Sequence, residues 1–308
     1  MVWVGIDVSK DRLDVHVLPA ATAFAVARNG KGLSELVERL ARLTPERVAV
    51  EATGGFETVV AAALAAAGLP LVVVNPAQVR HFAQAVGKRA KTDPIDAAMI
   101  ACFVEATRPE LRPLADAAAQ LLGDLVARRR QIIEMIVAEK NRERRTAVQR
   151  IRKSIARLIA ALEKELVEID AEIDTGVRGS PAWREKEDLL ASVPGVGPIT
   201  ARTLIAELPE LGHLDNKRIA SLAGLAPYTR QSGRWQGKSM IGGGRKAVRS
   251  ALFLAALTAC RHNATLKAFR QRLLAAGKPK MVAVIAVARK LLTILNAILR
   301  DQKPWQTA

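Results

Sequence analysis

The stretch VWVGIDVSKDRLDVHVLP, residues 2–19, decides the first half of the fold. It contains two short runs rich in β-branched residues, VWVGIDVS and RLDVHVLP, whose separation suits a β-hairpin. The next run, TAFAVAR, predicts a third strand in the same sheet. Strands and helices then alternate. RVAVEAT and LPLVVVNP are typical of buried strands, and helices are predicted for GLSELVERLARL, FETVVAAALAAAG, AQVRHFAQAVG and DPIDAAMIACFVEA.

Four acidic residues stand at the end or edge of elements in this region. Asp7 ends the first strand, Glu51 ends a buried strand, and Asp93 and Asp96 open the last helix. Residues three apart on a helix share a face, so Asp93 and Asp96 can point at one spot. A strand hairpin followed by strand–helix alternation is the order expected of an RNase H-like α/β domain over residues 1–110, although other α/β folds also fit. In an RNase H-like fold the first strand is central and the last helix packs across it, which predicts that the four acids meet.

Four neighbouring carboxylates repel one another unless cations neutralise them, and hard oxygen ligands suit Mg²⁺ or Mn²⁺. Two such ions stabilise the attacking and leaving oxygens of a displacement at phosphorus. Each acid also has an ordinary explanation: Asp93 as a helix N-cap, Asp96 as part of a capping box, and Asp7 as the start of a turn. Glu51 is harder to explain, because an unpaired glutamate after Val-Ala-Val would be costly to bury. The combination predicts a divalent-metal site.

The composition favours a folded protein that binds a polyanion. With 308 residues, half of them apolar, the chain can form two domains, and 47 Lys and Arg against 30 Asp and Glu give a net charge of +17. Nucleic acid is therefore the leading partner. We expect a cytoplasmic protein with no membrane partner, because no uncharged apolar run approaches the roughly 18 residues of a span and the start lacks signal-peptide order. Cys102 and Cys260 are interpreted as small buried hydrophobes, with no disulfide or zinc site.

A helical region is predicted over residues 111–178. Apolar residues spaced by three, four and seven indicate a coiled coil or a helical hairpin, and they are Ile151, Ile155, Leu158, Leu162, Ile169 and Ile173. Basic residues greatly outnumber acids from 128 to 157, whereas a merely solvated helix face would mix the signs. We therefore predict nucleic-acid contacts here, at Arg128, Arg129, Arg130, Arg142, Arg144 and Arg145. TGVRGSPAW predicts a linker after the helices.

Residues 185–308 are predicted to form a mainly helical C-terminal domain. The segment from Pro194 through Gly195 to Gly197 makes a tight turn between two apolar runs, so helix N-terminal amides can face a phosphate. This resembles a helix-hairpin-helix element, although the turn could also serve packing alone. Further on, glycines and basic residues in the segment TRQSGRWQGKSMIGGGRKAVR predict contacts with a nucleic-acid backbone. The basic residues predicted to make them are Arg230, Arg234, Lys238, Arg245, Lys246 and Arg249.

Five segments, in order, resemble the insertion-sequence one-ten family of transposases, and the resemblance covers nearly the whole chain. They are GIDVSKDRLDV, EATGGFE, VNPAQVRHFAQAVGKRAKTDPIDAAMIA, LLASVPGVGPITA and LAGLAPYTRQSG. The resemblance implies a RuvC-like domain with the acidic quartet Asp7, Glu51, Asp93 and Asp96. It also implies a C-terminal transposase domain whose catalytic serine is Ser232.

Reaction and partners are likewise implied by the resemblance. The expected activity is Mg²⁺-dependent cleavage and exchange of donor and target DNA through a covalent phosphoserine link. A noncoding guide, the bridge RNA, would pair with both DNAs. Homo-oligomers, dimers or tetramers, are implied, in which Ser232 of one subunit completes the metal site of another.

Three other functions stay open at this point. A RuvC-like junction nuclease would use the four acids and a water nucleophile, with no role for Ser232. A tyrosine recombinase would use Tyr228, the single tyrosine, but the surrounding Arg and His constellation is missing. A non-catalytic basic protein would use its carboxylates only as helix caps, and its nucleic-acid binding would depend on salt and not on metal.

Overall fold

The chain folds into two compact units, residues 1–114 and 115–308. The computed structural model describes residues 1–52, 54–88, 90, 92–111, 116–229 and 231–306. The predicted middle helices lie in the second unit, together with the C-terminal residues.

The first unit is a five-stranded mixed sheet with helices on both faces. Its elements are β1 (Trp3–Val8), β2 (Arg12–Leu18), β3 (Thr22–Ala27), α1 (Gly30–Leu43), β4 (Arg47–Glu51), α2 (Glu57–Ala66), β5 (Leu71–Val74), α3 (Pro76–Ala85) and α4 (Asp93–Thr107). The strand order is β3-β2-β1-β4-β5. The β1–β2 and β2–β3 pairs are antiparallel, and the β1–β4 and β4–β5 pairs are parallel. The predicted hairpin, third strand and strand–helix alternation are confirmed.

Side-chain alternation along β1 separates two hydrophobic cores, because successive residues of a strand point to opposite faces. Ile6 belongs to the core formed with α1 and α2, whereas Trp3 belongs to the core formed with α3 and α4. Gly5 lies under α4, and a Cβ at this position would overlap the Ala97 carbonyl oxygen and the Ala101 backbone nitrogen. Glycine at this position therefore allows α4 to cross the central strand at close range.

The second unit is helical apart from four two-residue strands. Its elements are α5 (Ala117–Arg145), α6 (Gln149–Gly179), α7 (Pro181–Ala191), α8 (Pro198–Glu207), α9 (Asn216–Leu222), β6 (Pro227–Tyr228), β7 (Gln231–Ser232), β8 (Trp235–Gln236), β9 (Met240–Ile241), α10 (Lys246–His262), α11 (Ala264–Ala275) and α12 (Lys280–Asp301). Within the described part of the chain, α12 alone is long and apolar enough to cross a membrane, and 56% of its most apolar window is buried inside the protein. It forms the centre of the C-terminal core, packed against α10 and α11.

Helices α5 and α6 form a long antiparallel hairpin. Ile169 and Ile173 are buried in it as predicted, but Ile151 and Leu158 are each 48% exposed, so the predicted seam is wrong at these two positions. The physical reason is that the two ends of the hairpin differ in the number of helices packed around them. Far from its turn the hairpin also packs against α8, through Ile205, whereas near its turn α5 and α6 cover only each other.

The predicted linker TGVRGSPAW is wrong. Helix α6 continues to Gly179 and α7 starts at Pro181, so Ser180 alone separates them. Gly176 costs about 1 kcal/mol in a helix interior. Complete burial of Val177 in the hairpin core offsets that cost. Ser180 then caps α7, because its side chain accepts a hydrogen bond from the backbone nitrogen of Trp183.

Candidate functional site: an acidic cluster and a serine arm

Asp7 and Glu51 lie at the same end of neighbouring parallel strands. Asp7 is the second-last residue of β1 and Glu51 is the last residue of β4. The β1–β4 register pairs Ile6 with Val50, so the next position along each strand brings Asp7 and Glu51 side by side on one face. This is the face on which α4 packs. Both carboxylates are partly exposed.

Helix α4 contributes the other two acids from its first turn. Asp93 is its first residue and Asp96 follows three positions later, with α4 held against β1 at Gly5. The N-cap position belongs to Thr92, whose side chain makes no capping hydrogen bond. The interpretation of Asp93 as an ordinary N-cap is therefore wrong. Its carboxylate is exposed, while Asp96 is half-buried.

The electrostatics of Asp7 indicate that the acids act on one another. Burial raises the pKa of Asp7 to about 6, and repulsion from Asp96, Asp93, Glu51 and Asp14 adds to this effect in decreasing order. Repulsion of this kind requires each of the other four carboxylates to lie within a short distance of Asp7, because water screens the interaction at longer range. The four predicted acids thus share one electrostatic environment.

Asp14 is a fifth acid at this site and was not predicted from the sequence. It faces Asp7 directly across the β1–β2 ladder and is only 4% exposed. Arg12 holds it from the same strand, with 2.7 Å between Nη2 and Oδ1 and 3.0 Å between Nε and Oδ2. The available signal was a charged residue in an otherwise apolar position of the strand RLDVHVL, which is costly to bury without a partner. Because Arg12 neutralises it, Asp14 is an unsuitable free ligand.

The donor set suits a divalent cation in its chemistry. Carboxylate oxygens are the ligands that Mg²⁺ and Mn²⁺ prefer, and Asp7, Glu51, Asp93 and Asp96 converge on one edge of the sheet. Within the residues that the structure describes, no three His, Cys, Asp or Glu side chains are close enough together to hold a metal ion as they stand. Both cysteines are free thiols in helices, and burial raises the pKa of each.

Ser232 lies in the second unit, at the tip of a β-hairpin that we call the serine arm, residues 227–241. The inner ladder pairs Ser232 with Trp235 around a turn at Gly233, whose φ of +56° favours glycine. The outer ladder pairs β6 with β9. The Ser232 hydroxyl is exposed, and the described side chains offer it no hydrogen-bond partner.

The base of the serine arm is packed tightly against the helices. A Cβ on Gly244 would lie 2.6 Å from the Leu222 carbonyl oxygen, so this glycine serves packing and not approach to a phosphate. Arg249 donates a hydrogen bond to the Gly243 carbonyl oxygen, with 2.5 Å between Nη1 and O. Arg245 forms a bidentate ion pair with Glu210, at 2.5 and 2.7 Å. The arm therefore projects from a fixed base.

The basic residues predicted to bind nucleic acid divide into two groups. In the first group each side chain has a partner within the chain: Arg129 with Asp170, Arg130 with Glu207, Arg142 with Glu139, Arg245 with Glu210, and Arg249 with the Gly243 carbonyl. Those exposed and without an ion pair among the described side chains are Arg128, Arg144, Arg145, Arg234, Lys238 and Lys246. Arg230 lies outside the described residues. Of the predicted contacts, the unpaired ones thus lie on α5 at Arg128, at the hairpin turn, and on or beside the serine arm.

The turn between α7 and α8 gives its two glycines different environments. Gly195 has a φ of +104°, and a Cβ there would lie 2.6 Å from the Ala259 backbone nitrogen, so it is needed for packing against α10. Gly197 is the exposed N-cap of α8, with open space around its Cβ position. The predicted turn between two helices is present, and of its two glycines only Gly197 is open to a ligand.

Two transposase family models match the chain. The DEDD transposase model of insertion element IS110 matches residues 4–151, and the transposase model of the IS116/IS110/IS902 family matches residues 187–271. Pilin gene-inverting proteins of Moraxella bovis and Moraxella lacunata are each 28% identical, over 98% of this chain and 97% of theirs. An uncharacterized 44.8 kDa protein of insertion element IS116 from Streptomyces clavuligerus is 25% identical over 100% of this chain and 96% of its own.

Proposed function

The chain belongs to the IS116/IS110/IS902 family of transposases and is a DNA recombination enzyme, and from that premise we propose that it cleaves and rejoins DNA through a serine-linked intermediate. Under this proposal the first unit is an RNase H-like, RuvC-like domain that holds Mg²⁺ or Mn²⁺, and the serine arm supplies the nucleophile. The protein acts on donor and target DNA in the cytoplasm, at the nucleoid.

One observation carries the proposal: Asp96, Asp93 and Glu51 lie close enough to Asp7 for their repulsion to add to the burial that raises its pKa to about 6. A fold gains nothing in stability from such repulsion, so the arrangement is best explained by the binding of cations. The antiparallel start and parallel continuation of the sheet support the RNase H-like assignment. Asp7, Glu51, Asp93 and Asp96 would hold the ion.

When bound, a divalent ion would offset the carboxylate repulsion and stabilise the negative charge that develops on the reacting phosphate. The chain's own contribution is placement. Gly5 lets α4 approach β1, and α4 thereby keeps Asp93 and Asp96 at the strand end that carries Asp7.

The proposed chemical step begins at the Ser232 hydroxyl. Its Oγ forms a bond to a backbone phosphorus of DNA, the bond from phosphorus to the 3′ oxygen breaks, and that oxygen leaves as a hydroxyl after taking a proton. The phosphodiester energy is kept in the phosphoserine, so attack by a new 3′ hydroxyl rejoins strands without ATP. A serine hydroxyl needs activation. As the family resemblance implies, we propose that the carboxylate site of another subunit in a dimer or tetramer supplies it.

The proposal also includes a noncoding bridge RNA that pairs with both DNAs. Its support is the family resemblance alone. The unpaired basic residues at the turn of the α5–α6 hairpin, among them Arg144 and Arg145, are proposed contacts with nucleic acid.

The test is recombination of donor and target plasmids in cells that contain the whole element. Wild type is compared with Ser232→Ala and Asp93→Asn, and a denaturing gel detects protein linked to DNA. Tyr228→Phe and Ser239→Ala are the matched controls, because both residues lie on the same arm and are exposed.

Loss of product and adduct in Ser232→Ala and Asp93→Asn, with both controls active, is the expected result. Metal-dependent cutting by Ser232→Ala would instead identify a nuclease that uses water. Loss of the adduct in Tyr228→Phe alone would identify a tyrosine recombinase. Full activity of Asp93→Asn would remove the carboxylate site from the mechanism.

A further inference from the structure

The positive charge of this protein is concentrated in one stretch of the sequence. Residues 216–300 contain no Asp or Glu and seventeen Lys or Arg. The thirty basic residues outside this stretch equal the thirty acids, so residues 216–300 account for the entire net charge of +17. The serine arm and the start of α10 include only six of the seventeen, from Arg230 to Arg249. The remaining charge therefore calls for another explanation.

A second group of unpaired cations lies on α11 and on the chain next to it, at the end of α10 and the start of α12. We name it the corner surface, and its residues are Arg261, Lys267, Arg272, Lys278 and Lys280. All five side chains are exposed, and the described residues provide none of them with an ion pair. The contrast with the α5–α6 hairpin is direct, because several arginines there are paired with Asp or Glu.

The start of α12 strengthens the positive potential of the corner surface. Helix N-termini favour acidic residues, because unpaired amides and the helix dipole place positive charge there. Here Lys278 and Lys280 flank Pro279, which is the N-cap and provides no side-chain hydrogen bond. Such an arrangement is unfavourable in isolation and becomes favourable when an anion such as phosphate is bound.

Helix α10 connects the corner surface to the serine arm. Lys246 begins α10 and Arg261 lies fifteen residues later, which corresponds to about 22 Å along the helix or about 6 to 7 base pairs of duplex. Ser250, Leu254 and Leu257 are exposed between them, at helical spacing on one face. That face contains no acid, so it can lie along a phosphate backbone without repulsion.

We propose that the corner surface binds the phosphate backbone of duplex DNA and extends the interface beyond the serine arm. The inference rests on the proposed function in that DNA is the substrate. Duplex backbone is favoured over unpaired bases, because base stacking needs an exposed aromatic ring. Phe269, the one phenylalanine of the corner, packs against the C-terminal core and under Arg272, whose Cζ lies 5.3 Å from the ring centre.

The test compares two full-length variants that lose the same charge. One replaces Lys267, Arg272, Lys278 and Lys280 by Gln. The control replaces Arg39, Arg42, Lys164 and Arg178 by Gln, which are exposed and each beside an acid of its own helix. Affinity for a labelled duplex of about 30 base pairs is measured by fluorescence anisotropy from about 50 to 200 mM salt.

We expect the corner variant to reduce the slope of log affinity against log salt by about 3 to 4, while the control changes it by less than about 1. Raising the salt from about 50 to 200 mM should therefore weaken DNA binding by the corner variant about a hundredfold less than it weakens binding by wild type. Equal slope changes in both variants, or none in the corner variant, would overturn the proposal. A loss confined to an RNA hairpin of matched length would assign the surface to RNA instead. Ser232→Ala should keep the wild-type slope, so failure of the serine mechanism is measured separately.

Discussion

Replacing Asp7 by Asn is expected to stabilise the first unit at neutral pH when divalent cations are removed. Moving the pKa of a carboxyl from 3.8 to about 6 corresponds to about 3 kcal/mol. Because Asp7 is only half-buried, solvent screening reduces this to about 1 to 2 kcal/mol. Asn keeps the shape of the side chain and removes the charge that Glu51, Asp93 and Asp96 repel.

The sign of the effect sets its pH dependence. The folded state binds the Asp7 proton more tightly than the unfolded chain, so wild type is most stable below about pH 4 and loses this stability as the pH rises to about 6. The advantage of Asp7→Asn should therefore be complete at about pH 7.5 and fall to about a third at about pH 4.5.

The assay is hydrogen–deuterium exchange of the full chain, read on peptides that cover β1 and α4, because local opening energies do not require two-state unfolding of both units. The measurements are made in EDTA and in Mg²⁺. Asp11→Asn is the matched control, since Asp11 is exposed in the turn after β1. An Asp7→Asn protein no more stable than wild type in EDTA at about pH 7.5 would refute the convergence of the acids. If the amides of wild type were equally protected from exchange in EDTA and in Mg²⁺, the cation site would be refuted, but the convergence of the acids would not.

Three further changes test the packing that positions the site. Gly5→Ala should lower the free energy of unfolding by about 2 to 3 kcal/mol in urea denaturation, because its Cβ overlaps the backbone of α4; a neutral result would contradict the close crossing. Gly195→Ala should cost a similar amount, whereas Gly197→Ala should cost less than about 1 kcal/mol, and thermal unfolding that ranks them otherwise would contradict the two environments. Arg245→Ala should cost about 1 to 2 kcal/mol and leave the salt dependence of DNA binding nearly unchanged, because its guanidinium is paired with Glu210; a slope change near 1 would identify it as a phosphate contact instead.

Much of the first unit follows from the sequence because its signals are local. Alternating apolar residues define the strands, and Asp93-Pro94 marks a helix start, so the positions of the four acids relative to the elements were predictable. The burial of Asp14 was not, because a charged residue two positions after Arg12 in one strand looks solvent-exposed, and only the folded sheet shows it buried opposite Asp7.

Prediction failed where tertiary packing outweighed local preference. A stretch rich in Gly and Ser looked like a linker, yet Val177 in its middle is fully buried and keeps α6 helical to Gly179. Ile151 and Leu158 match the apolar spacing of a seam but lie where the hairpin lacks a third layer. Periodicity identifies a face of a helix, and only the folded chain decides whether something covers it.

The distribution of charge separates affinity from chemistry. A cluster of carboxylates repels the phosphates of DNA, because both carry negative charge. The acids around Asp7 therefore cannot supply binding energy for a phosphate on their own. Residues 216–300 contain only positive charge, and counterion release there does not depend on any one position. Loss of Glu51 should then abolish cleavage with little loss of binding, whereas loss of the corner cations should weaken binding while cleavage of bound DNA persists. Under the proposed mechanism, four of the thirty acids serve the reaction, and the positive excess serves retention of the substrate.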